Sequence, residues 1–70
     1  MDIDKIRKSL TNQKPNEKQI KRIEELRNGS FAFANEINNK CPDSREKSLA
    51  ITKLEECLMW AVKSIVLEEN

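Results

Sequence analysis

The stretch Asp43–Leu67, D-S-R-E-K-S-L-A-I-T-K-L-E-E-C-L-M-W-A-V-K-S-I-V-L, repeats apolar residues at helical spacing and then has apolar residues left over. Ala50, Ile51, Leu54, Leu58, Ala61, Val62 and Ile65 recur three and four apart, the spacing that lines one face of an α-helix. Leu49, Cys57, Met59, Trp60, Val66 and Leu67 fall beside or opposite that line. A neighbouring helix covers one line only. An exposed apolar patch of this extent marks an interface. The pattern therefore calls for helices packed between chains and closed by symmetry.

Chain length sharpens the point. Seventy residues make one domain, and a chain of this size buries only about 60% of its unfolded surface. Such scaffolds are held by disulfides, a metal or oligomerisation. The only cysteines, Cys41 and Cys57, fall inside or beside helix patterns, and there is no histidine. A disulfide and a tetrahedral zinc site within one chain are both disfavoured. Met1–Leu10 has no apolar core of a signal peptide, and no run approaches the roughly 18 apolar residues of a membrane span. A reduced, cytosolic setting is expected. Oligomerisation is the device that remains.

Pro15 and Pro42 divide a chain with little β signal into three helical pieces. The first, an N-terminal arm over 1–14, holds a short amphipathic stretch with Ile3, Ile6 and Leu10 on one face. Asp2 can cap it, and Asp4 suits its first turn. Thr11–Pro15 reads as a linker. A first long helix is expected over 16–40, with Asn16 as N-cap and Gln19 as capping-box partner. Ile20, Ile23, Ala34, Ile37 and Cys41 line it, with Arg27 and Ser30 on the same line and Leu26 and Phe33 beside it. Asn28-Gly29 is a turn signal elsewhere, but the apolar phase crosses it unshifted, so one continuous helix is expected. A glycine there marks close approach of a partner helix or a ligand. Cys41–Ser44 is a turn, capped by Asp43 or Ser44, of which Asp43 with Glu46 makes a capping box. A second long helix follows over 44–69. The expected fold is all-α: one antiparallel helical hairpin over 1–70 that assembles as a helical homo-oligomer.

Net charge is +1, too small for strong bulk attraction to nucleic acid, and polymeric nucleic acid is disfavoured as a partner. Residues 1–27 carry eight cations against five acids, and residues 28–70 five against seven. A basic N-terminal half can meet an anion or simply form a solvated face with i,i+4 pairs. Glu55 and Glu56, near Lys53, read as helix surface rather than an acid–base pair. Cys57 has no histidine to activate it and is expected to be buried. No phosphate-binding glycine loop is present. No enzyme, cofactor or metal is implied.

Five residues stand out for binding. Trp60 and Lys63 are three apart and share a helical face. An aromatic face beside a cation suits a nucleobase and its phosphate, and Trp60 equally suits an interface anchor. Arg22 and Arg27 sit among apolar neighbours, where a cation snorkels, pairs with a carboxylate or meets an anion. Lys14, in the linker, can close over a site or stand free at the surface.

The segment Pro42–Ile65, P-D-S-R-E-K-S-L-A-I-T-K-L-E-E-C-L-M-W-A-V-K-S-I, resembles the C-terminal helix of the small phage helical-hairpin proteins that block bacterial CBASS and Thoeris immunity. Ile23–Arg27, I-x-x-L-R, is similar to their first hairpin helix. The resemblance implies a sponge: a homohexamer that binds cyclic oligonucleotide signals in pockets between protomers without cleaving them, in the cytoplasm of the infected bacterium. Cyclic dinucleotides, cyclic trinucleotides and cyclic ADP-ribose-type signals are the ligand classes it implies. By position, Arg27 and Lys63 match the family's basic sites, and Trp60 matches its M-W-A tryptophan. Cys57 stands where alanine is usual, Lys63-Ser64 replaces a small or polar pair, and the arm lacks the tyrosine that some members use near the nucleotide.

Overall fold

Two prolines and two caps decide where the helices begin and end. The computed structural model describes residues 2–10 and 14–68, though not the side chains of Lys8 and Ser9. Linker residues 11–13 and residue 69, expected to end the last helix, lie outside the described residues. Three helices follow in order: α1 (Ile3–Leu10), α2 (Glu17–Lys40) and α3 (Arg45–Val66). The class is all-α, as the spacing requires.

Asn16 opens α2. Its Oδ1 accepts from the Gln19 amide at 2.9 Å, and Gln19 Oε1 accepts from the Asn16 amide at 2.8 Å. Both halves of the expected capping box are thus made. The helix then passes through Asn28-Gly29 unbroken. A Cβ placed on Gly29 would meet nothing within 4 Å, so no close approach within the chain requires glycine there. At the far end Cys41 donates its amide to the Ile37 carbonyl at 3.0 Å. Pro42, lacking an N–H, cannot extend the helix.

Ser44 opens α3, its Oγ accepting from the Lys47 amide at 3.1 Å. The alternative Asp43–Glu46 capping box does not form. Asp43 Oδ1 instead accepts from Lys47 Nζ at 2.9 Å, and the same ammonium donates to the Asn38 carbonyl at 3.0 Å. Lys47 thereby satisfies one of the carbonyls left free at the end of α2 and ties the turn to both helices.

The long helices run antiparallel. The start of α2 meets the end of α3, where Gln19 Nε2 donates to the Ile65 carbonyl at 2.9 Å. Ile23 and Ile65 are the buried apolar side chains among the described residues, and Gln19 is buried with them. Ala34, Ile37, Ile51, Leu54, Leu58, Ala61 and Val62 are only half-buried. The expected seams are wider than the contact: Ile20, Cys41 and Ala50 are exposed at its edges. Cys57, expected to be buried, is exposed too, because it lies about 100° around the helix from Leu58. Among the described residues α1 forms no packed contact with α2 or α3. The molecule measures 45 × 28 × 14 Å, so its thinnest dimension is about one helix diameter.

Candidate ligand-binding site

Helix geometry divides the candidate residues between separate faces of the hairpin. On α3, Leu58 faces α2. Trp60 lies two residues on, about 200° around the axis, and Lys63 five residues on, about 140° around it. Both therefore look away from the packed line. Lys63 Nζ stands over the Trp60 ring, 5.9 Å from its centroid, within the range of a cation–π contact. The predicted pairing of these two side chains is thus present. Lys63 also occupies the last turn of α3, where the helix dipole favours a cation. Trp60 is 57% exposed, leaving ring surface open to a flat partner.

Arg27 lies elsewhere. It lines a groove of about 320 Å³ between α2 and α3, with Ser30, Phe31 and Ala34 on one wall and Ile51, Leu54, Glu55 and Leu58 on the other. Trp60 and Lys63 contribute nothing to this groove. Of the three fates open to a cation among apolar neighbours, pairing within the chain is not taken: Arg27 has no ion-pair partner among the described residues. Phe31, one turn on, is 76% exposed.

Arg22 takes the pairing route. Its Nη1 lies 2.6 Å from Glu68 Oε1, and Gln19 Nε2 reaches the same oxygen at 3.4 Å. The hydrogen bond from Arg22 holds the Glu68 carboxyl below its ordinary value of 4.5, and the guanidinium charge and Gln19 act in the same direction. A second groove, of about 380 Å³, lies beside this pair and is lined by Arg22, Glu25, Leu26 and Ile65. Lys14 is exposed in the linker before Pro15. One chain therefore brings Trp60 and Lys63 together but not Arg27, Arg22 or Lys14 with them.

The chemistry on offer is recognition. A tryptophan face, an ammonium and a guanidinium suit a base and phosphates. The paired-acid motif is spent on the surface: Glu56 lies 3.6 Å from Lys53, and Glu55 faces the Arg27 groove. Among the described residues no three metal-ligating side chains cluster, and no helix is long and apolar enough to cross a membrane. Gln19, Lys47 and Glu68 escaped the sequence reading as contacts between helices. Gln19 was legible as half of a capping box, but its bond to Ile65 joins residues 46 apart, which no local pattern encodes.

No curated protein and no solved structure matches the chain. The family model described as Acb2/Tad1, hairpin domain, matches residues 1–66. That span takes in the arm, both long helices, the capping box and the M-W-A segment, so the match covers the hairpin as built and not one helix of it. The chain belongs to the Acb2/Tad1 hairpin-domain family.

Proposed function

We propose that the protein is a phage immune-evasion sponge. It sequesters cyclic di- or trinucleotide signals, or cyclic ADP-ribose-type signals, in the cytoplasm of an infected bacterium, and it works as a homo-oligomer, a hexamer by family analogy. Family membership supports the class of function. The observation that carries the binding mode is the separation of the cations: Arg27 and Trp60 are exposed and Lys63 is half-buried, neither cation has a carboxylate partner among the described residues, and the two lie on different faces. A pocket using both needs a second chain. The single-layer thickness of 14 Å supports that chain's presence, since domains bury their apolar faces between two layers.

In this reading Trp60 stacks on or buttresses a base. Lys63 and Arg27 make charge-assisted contacts to phosphate, while Arg22 and Lys14 are supporting cations. Sequestration needs no bond broken, so no nucleophile, metal or cofactor takes part. Titration with a panel of cyclic di- and trinucleotides and cyclic ADP-ribose isomers is expected to yield a tight binder that is recovered intact after denaturation. Lys63→Ala and Arg27→Ala should each weaken it about 10- to 100-fold, the range of one hydrogen bond to a charged group. Absence of any micromolar binder would overturn the proposal.

The exposure of Phe31 and Met59 favours one rival, a helical module that docks on another protein without a nucleotide. It predicts that Trp60, Phe31 and Met59 variants lose a protein partner while Lys63→Ala and Arg27→Ala behave normally.

A further inference from the structure

An eight-residue helix is well below the roughly 12–15 residues at which an isolated helix becomes marginally stable in water. Asp2 caps α1, its Oδ1 accepting from the Asp4 amide at 3.0 Å, but a cap of about 1 kcal/mol does not offset that deficit. Helices this short are held by packing of their apolar face. Yet α1 forms no packed contact with its own hairpin among the described residues, and on its apolar face Ile3 and Leu10 are 65% and 80% exposed while Ile6 is half-buried. The same chain carries the converse defect, an open apolar groove along Arg27–Ala34 of α2 and Ile51–Leu58 of α3. That stretch of α2 is about 10 Å long and α1 about 12 Å, so the two surfaces match in length.

Resting on the oligomeric reading above, we infer that α1 of one chain seats in the α2/α3 groove of a second copy. Among the described residues α1 does not reach its own groove. Lys14 precedes Pro15 and is confined to extended backbone. Asn16 is itself extended, with φ −79° and ψ 175°, and is fixed there by its capping box. The chain thus leaves α2 in extended form, whereas its own groove begins ten residues, about 15 Å, up the helix. Each chain offers one arm and, among the described residues, this groove between α2 and α3. An exchange that closes on itself therefore fills every groove and covers every arm.

The test is made on the full chain with both native cysteines replaced, Cys41→Ser and Cys57→Ala. One version carries only Leu10→Cys and a second only Phe31→Cys. Both positions are highly exposed, so the hairpin tolerates the change. On mixing under mild oxidation, a disulfide between the two versions should form about a hundredfold faster than between Leu10→Cys and Asn39→Cys, because docking raises the local thiol concentration from roughly 10 μM to roughly 1 mM. Equal rates overturn the inference. So does a double Leu10→Cys/Phe31→Cys chain that closes only within itself. Native mass of the cysteine-free parent, measured alongside, separates the failures. An assembled parent with equal rates leaves the oligomeric sponge standing without arm exchange; a parent monomeric at every concentration removes both.

Discussion

Gln19 makes two kinds of bond. Its Oε1 accepts from the Asn16 amide, and its Nε2 donates to the Ile65 carbonyl from a buried position, 4% exposed. Gln19→Glu keeps the acceptor of the capping box, removes the donor, and sets a carboxylate against a carbonyl and Glu68. Denaturant unfolding should show a loss of about 1–3 kcal/mol, the cost of an unsatisfied buried polar group. Glu68 adds a dependence on pH. Its pKa is lowered in the folded chain by the hydrogen bond from Arg22, so the stability it contributes is fully present above the ordinary value of 4.5 and is lost as pH falls through the lowered one. Thermal unfolding of wild type and Glu68→Gln should differ at neutral pH and converge in acid below that value. The sequence displays each of these residues but not their meeting. For Arg22 the sequence left snorkelling, a carboxylate partner and an anion all open, because Glu68 is a full hairpin length away along the chain.

At the level of the helix, local chemistry was largely legible. Asn16 with Gln19, Pro15, Pro42 and Ser44 are signals read within four residues, and they place the starts of α2 and α3. The ambiguity between Asp43 and Ser44 is settled partly beyond that reach, at Asn38. Lys47 decides it by holding Asp43 and Asn38 together, which leaves the cap to Ser44. Burial was less legible than helicity. Apolar spacing marks every residue on a face, but two helices in contact bury only a narrow line of it, so Ile20, Cys41 and Ala50 stay outside. Gly29 supplies the test at this scale. With nothing within 4 Å of an added Cβ, Gly29→Ala should stabilise the chain by about 1 kcal/mol, the helix propensity difference. Circular dichroism melts check it. A melt that falls instead would place a neighbouring backbone at Gly29 in the assembled state.

The whole molecule is one helix thick and leaves Phe31, Met59, Trp60 and Leu49 in water. If these side chains find cover on other copies, stability belongs to the assembly and must fall on dilution. The melting temperature is expected to drop as protein concentration is lowered through the dissociation range, and to rise when a bound nucleotide adds its own contribution. This is also where the sequence could be read furthest. Of the apolar surplus of Asp43–Leu67, the folded chain leaves Leu49, Cys57, Met59 and Trp60 exposed and half-buries Val66 and Leu67. What the sequence could not place was the partner for each patch, because that depends on geometry between chains. The lone tryptophan has one more consequence. With no tyrosine in the chain and a single indole, half-exposed beneath an ammonium, all useful ultraviolet emission comes from one spot at the candidate pocket. The protein is its own unlabelled optical sensor. A blue shift on concentration would report neighbours arriving over Trp60, and quenching at constant concentration would report a base stacking on it.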